Sequence, residues 1–124
     1  MCADLGDHGP EAGPRHLLAG WGVTAPTAST LVGLDDVEAV AAVVKGDDPR
    51  GTIARGYGRS YGDPAQNAGG TVVDGTRATG LLSVDLATGT VVARAGTSID
   101  QLIRWLVPLG LFVPVTPGTR SVSV

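Results

Sequence analysis

Thr52-Ile53-Ala54-Arg55-Gly56-Tyr57-Gly58-Arg59-Ser60-Tyr61-Gly62-Asp63 combines a short apolar strand with a loop carrying three glycines, two arginines and two kinds of hydroxyl. Glycine accepts positive φ and has no side chain to hold a ligand away from the backbone. A loop of this composition presents successive N–H groups as a concave nest for an anion, most often a phosphate. That reading suggests a nucleotide cofactor. An ordinary glycine-rich turn has the same composition, and the residues of the loop alone leave both readings open.

Two look-alikes are excluded by context. The dinucleotide fingerprint is G-x-G-x-x-G at the start of a helix. Here Gly56, Gly58 and Gly62 are one residue too long at the last step. Asp63-Pro64-Ala65-Gln66-Asn67-Ala68-Gly69-Gly70 follows, which has no helical period and is rich in breakers. A Walker loop needs Gly-Lys-Ser/Thr, which occurs nowhere in the chain.

Bulk properties narrow the classes further. A chain of 124 residues fits one small domain or part of a larger one. It is 43% hydrophobic and only 4% aromatic, so its core is built from Val, Leu, Ile and Ala. The net charge of −3 argues against nucleic acid, which selects a basic surplus. Cys2 is the single cysteine, so no disulfide can form within the chain, and no Cys/His spacing suits zinc. His8 and His16 fall in the polar start and read as solvated; no metal site is expected. No apolar run approaches the ~20 residues of a membrane helix. The first residues lack the basic-then-apolar order of a signal peptide, so the cytoplasm is the default compartment.

Outward from the loop, residues 1–20 read as a flexible polar lead-in, rich in Gly, Pro and charge. Trp21-Gly22-Val23 is the first expected packed element, and Ala25–Thr30 is extended. Asp35–Lys45 reads as a helix capped by Asp35, with Glu38 three residues on in a capping-box arrangement. Val37, Val40, Ala41 and Val44 form its apolar stripe, and Gly46 suits its C′ position. The acids at its start fit the helix dipole better than an acidic site.

Thr52–Ala54 and Thr71–Asp74 read as strands, and Leu81–Asp85 with Thr90–Ala95 as a hairpin around Leu86-Ala87-Thr88-Gly89. A second helix runs from Ile99 to about Val107, capped by Ser98 with Gln101, and Pro108 and Gly110 end it. Leu111–Val115 reads as a last strand. The order β-α-β-β-β-β-α-β predicts an α+β fold, two helices packed on a mixed sheet.

The far end repeats the chemistry of the loop. Val115-Thr116-Pro117-Gly118-Thr119-Arg120-Ser121-Val122-Ser123-Val124 opens with a tight turn, then a cation among hydroxyls, then a strand-like alternation. No polar tail closes it, and the chain reads as cut in mid-element.

Ala54–Asp63 together with Ala65-Gln66-Asn67-Ala68-Gly69-Gly70, and the later run Pro108–Arg120, resemble the FAD domain of the vanillyl-alcohol-oxidase or p-cresol-methylhydroxylase type. Within that group they look like the sugar oxidases acting on a polyprenyl-phosphate-linked ribose. The resemblance covers residues 21–124 and makes them the N-terminal half of such a domain.

It implies that Ala54, Arg55, Gly56, Tyr57, Gly58, Arg59, Ser60, Tyr61, Gly62 and Asp63 hold the FAD pyrophosphate. It places Gly118, Ser123 and Val124 near the flavin from the other side. Arg59 pairs with the phosphate or with Asp63, and Tyr61 either stands at the flavin or substrate mouth or braces the loop.

Relatives that attach FAD covalently often carry a histidine where Arg59 stands, so the expected FAD is non-covalent. No residue of this chain is assigned as catalytic. The implied role is the FAD-binding part of a flavin-dependent sugar 2-oxidase, inactive alone. Its polyprenyl-phosphate sugar substrate would be met through the missing part. An oxidase of an aldonolactone or alditol is an alternative of the same class. A small stand-alone nucleotide-binding or interaction module is an alternative of another class.

Overall fold

The computed structural model describes residues 14–124. Its main sheet has four strands: β1 (Arg15–Leu18), β2 (Thr27–Gly33), β3 (Thr52–Arg55) and β4 (Thr71–Asp74). They lie in the order β1-β2-β4-β3. β1 is antiparallel to β2, whereas β2, β4 and β3 run parallel, with Thr30 and Thr52 both opposite Thr71. β4 is therefore enclosed by neighbours, and Val72 and Val73, which point to opposite faces, are both buried.

Helix α1 (Val37–Lys45) crosses between β2 and β3. Its cap is Asp36, whose Oδ1 accepts from the Ala39 N–H at 2.9 Å. Asp35, the expected cap, instead faces Arg77 across 3.6 Å. The apolar stripe agrees only in part with its expected position: Val40 and Ala41 are half-buried, but Val37 and Val44 are exposed and Ala39 and Val43 are half-buried in their place. With Asp36 as cap, the helix starts one residue later and docks on a neighbouring face. Gly46 is extended rather than left-handed, so it does not form the expected C′ turn.

The second layer is a hairpin of β5 (Leu81–Asp85) and β6 (Thr90–Ala93) with helix α2 (Ile99–Leu106). The hairpin forms its own two-stranded sheet. Helix α2 has the full capping box: Ser98 Oγ accepts from the Gln101 N–H at 3.1 Å, and Gln101 Oε1 accepts from the Ser98 N–H at 2.9 Å. Ile99, Leu102 and Leu106 are buried against Leu81, Val84, Val91, Ala93 and Val122. Thr97 joins the layers' edges, its Oγ1 accepting from the Gly80 N–H and donating to the Gly80 carbonyl.

The fold is thus α+β with a mixed sheet and two helices. Three expected elements differ. Arg15–Leu18 forms an edge strand within the stretch expected to be flexible, while residues 1–13, with Cys2 and His8, lie outside the described residues. Trp21–Val23 is an exposed turn rather than a packed element. Leu111–Val115 forms no strand; Leu111 and Val113 pack on α2 while Phe112 and Val115 face solvent. Among the described residues no helix is long and apolar enough to cross a membrane.

Candidate functional site

β3 and β4 are parallel neighbours, so the chain must return from the end of one to the start of the other. Residues 56–70 make that crossover without a helix. The loop leaves the carboxyl end of β3, the side on which parallel sheets place ligands.

Side chains tie its second half down. Asn67 Nδ2 donates to the Gly51 carbonyl at 2.9 Å and to the Thr71 carbonyl at 3.2 Å. Ser29, fully buried, donates its hydroxyl to the Asn67 carbonyl at 2.7 Å. Gln66 takes the Thr27 hydroxyl at 2.8 Å and donates to Asp63 Oδ1 at 2.9 Å.

Arg55 anchors the loop from beneath. Its Nη1 donates to the Ala65 carbonyl at 2.8 Å and its Nη2 to the Ala19 carbonyl at 2.7 Å. The guanidinium thereby joins both ends of a loop and the segment after β1. Gly58 lies directly over it with φ +62°, where a Cβ would collide with Nη2. Backbone this close to a planar cation demands glycine on two counts, conformation and space.

The first half of the loop remains open and lines a cavity of about 380 Å³. Ala54, Gly56, Tyr57, Gly58, Arg59 and Ser60 form one side, and Val122 and Ser123 face them. Ser123 approaches so closely that a Cβ on Gly56 would collide with its Oγ. A second cavity, also about 380 Å³, is lined by Trp21, Arg59, Tyr61, Gly118, Thr119 and Val122. Arg59 and Val122 border both, so the two cavities are neighbours. Tyr61 is 83% exposed and stands edge-on to Trp21, ring centroids 5.6 Å apart.

The tertiary structure therefore brings together most of the residues expected from the sequence. Ala54, Gly56, Tyr57, Gly58, Arg59, Ser60 and Ser123 converge on the first cavity, and Arg59, Tyr61 and Gly118 on the second. Arg55 and Asp63 are engaged in holding the loop, and Gly62 packs against Gly20. Val124 lies apart, in an apolar groove with Leu102, Leu106 and Phe112.

Asp63 is bonded to Gln66, and Arg59 makes no ion pair among the described residues. Pro64, Ala65, Val122 and Trp21 line these cavities without having been singled out. Pro64 and Ala65 simply continue the loop and Val122 adjoins Ser123, whereas Trp21 arrives from a segment distant in the chain, which no local pattern signals. Among the described residues no three His, Cys, Asp or Glu side chains cluster as a metal site.

The donor set suits a phosphate: glycine backbone within reach of a ligand, the hydroxyls of Ser60 and Ser123, and the Arg59 guanidinium. Residues 28–124 match the FAD binding domain family. The chain belongs to that family. FAD is accordingly its cofactor.

The chain is 47% identical over 110 residues to a decaprenylphosphoryl-beta-D-ribose oxidase from Mycolicibacterium smegmatis (strain ATCC 700084 / mc(2)155). The aligned region covers 86% of this chain and 24% of that protein, so the FAD domain described here spans about a quarter of the relative's length.

Proposed function

We propose that this chain is the part of a flavin-dependent oxidoreductase that holds the pyrophosphate and one side of the flavin. Its whole enzyme would oxidise a CH–OH group of a polyprenyl-phosphate-linked sugar, in the cytoplasm. The observation that carries the reading is the cavity in which the 54–60 loop faces Ser123, with Arg59 shared with the neighbouring Tyr61–Gly118 cavity. The substrate class rests on the printed name of the 47% identical relative.

In this reading Gly56, Gly58 and Ser60 receive the phosphates, and Arg59 neutralises them. Charge-assisted bonds of this kind contribute roughly 1.5–3 kcal/mol each when shielded from water. Tyr61 and Trp21 stand at the outer end, beside the flavin ring or the substrate's path to it. Bound FAD supplies the acceptor for the substrate's hydride; the residues of this chain bind and orient it. The chain has no histidine after His16 and carries Arg59 where a linking histidine would stand, which supports non-covalent FAD.

Titration of the 124-residue chain with FAD, followed by flavin fluorescence polarisation, tests the reading. Saturable but weak binding is expected, abolished by Arg59→Glu. A polyprenyl-phosphoribose added to the FAD-loaded chain is expected to leave the flavin oxidised. Bleaching of the flavin band under those conditions would show that the chain carries catalytic groups of its own, against the proposal.

A further inference from the structure

We propose that Asp100 is a positioning residue for FAD, holding residues 118–124 as the far wall of the cavity; the proposal rests on the reading of that cavity given above. The wall is a segment without regular secondary structure, so something must fix it at the distance from Gly56 at which only glycine fits. Its anchors converge on the first turn of α2. The Ile99 N–H donates to the Val122 carbonyl at 2.9 Å, and the Asp100 N–H to the Arg120 carbonyl at 3.0 Å. The Val124 N–H donates to the Thr97 carbonyl at 3.0 Å, and Ser98 and Ser123 form an isolated antiparallel bridge. The helix's first N–H groups are thereby occupied by this segment and are unavailable to an anion.

Asp100 adds the only side-chain ion pair between the helix and the wall among the described residues. Its Oδ1 lies 3.0 Å from Arg120 Nε, and its Oδ2 accepts from Arg104 Nε at 2.8 Å. The two arginines take one carboxylate oxygen each, so Arg104 orients the carboxylate while Arg120 belongs to the wall. Asp100 thus grips Arg120 twice, by its backbone N–H at the carbonyl and by its carboxylate at the guanidinium. Asp100 lies outside the cavity lining, so its effect on FAD can only pass through the placement of Val122 and Ser123.

The test compares Asp100→Asn, Asp100→Glu, Arg120→Ala and Arg104→Ala in the 124-residue chain, by amide exchange and by FAD titration. Asp100→Asn and Arg120→Ala should speed exchange at the Asp100 and Val124 amides while β4 amides keep wild-type rates. FAD affinity should fall about tenfold in both, equivalent to about 1.4 kcal/mol. Asp100→Glu should recover most of that loss, and Arg104→Ala should stay within about twofold of wild type. Faster exchange throughout β4 would mean general destabilisation and overturn the positioning role. So would wild-type FAD affinity in Asp100→Asn. If the wild-type chain binds no FAD, the reading of the cavity fails and the proposal with it. Exchange at Val124 then shows whether the clamp itself exists.

Discussion

The Arg55 guanidinium occupies the space directly beneath Gly58 that a Cβ there would need. One residue holds the loop and the other lets the loop come close to what holds it. The cavity floor depends on this pair, because Gly58 lines the cavity while Arg55 reaches the Ala65 and Ala19 carbonyls behind it.

Gly58→Ala should therefore be costlier than an equivalent change elsewhere. Gly58 has φ +62° and no room; Gly89, in the hairpin turn, has φ +70° and nothing within 4 Å. Left-handed backbone alone costs about 1 kcal/mol for a non-glycine residue. Urea unfolding should show about that loss for Gly89→Ala, with FAD affinity unchanged. Gly58→Ala should lose roughly 1–3 kcal/mol and most of its FAD binding.

Arg55→Lys should not be conservative. A guanidinium reaches two carbonyls in fixed, divergent directions, whereas an ammonium on a flexible stem satisfies one of them well. Bonds from a charged donor contribute about 1.5–3 kcal/mol each, so loss of one should lower stability by about 1–2 kcal/mol. Proteolysis should then cut first within residues 56–65. Resistance equal to wild type would show that the loop is held without Arg55.

Leu102→Ala tests the second layer. Leu102 is 4% exposed and sits between Ile99 and Leu106 under the hairpin. Truncating a buried leucine costs about 2–5 kcal/mol. A layer this small has little in reserve, so thermal unfolding should show loss of the hairpin and α2 signals before those of the main sheet.

The hairpin turn should weaken in acid. The Thr88 hydroxyl, then the Ala87 and Thr88 N–H groups, hold the Asp85 carboxyl below its ordinary value. A folded-state value below the unfolded one gives stability that is present at neutral pH and lost as pH falls through the folded value. The loss should begin below about pH 4, the ordinary carboxylate range. Amide exchange at Ala87, which donates to Asp85 Oδ1 at 2.9 Å, should accelerate as the pH falls below about 4, beyond its intrinsic pH dependence. Asp85→Asn should remove most of that extra acceleration.

Several features were legible because the residues concerned act locally. Ser98 and Gln101 are three apart and cap the same turn, so α2 begins where its sequence says. The glycine spacing 56-58-62 marked a tight loop, and residues 54 and 56–60 line a cavity. Where two neighbours compete for one role, local sequence cannot choose. Asp35 and Asp36 are both good caps, and Arg77, far along the chain, engages the first.

The same limit explains the strands. Arg15–Leu18 has no clear alternation and becomes a strand because β2 offers it an edge. Leu111–Val115 has the alternation and finds no partner among the described residues.

The amino-acid sequence by itself determined the α2 cap, the turn glycines, the α+β class and the chemistry of the 54–63 loop. Each depends on φ preferences and hydrogen bonds between residues a few positions apart. Only the tertiary structure decided that Arg55 serves the loop from behind, that Arg59 borders two cavities, and that Ser123 closes on Gly56. Those outcomes depend on where the β3–β4 crossover and the first turn of α2 meet in space, a distance that no local pattern encodes.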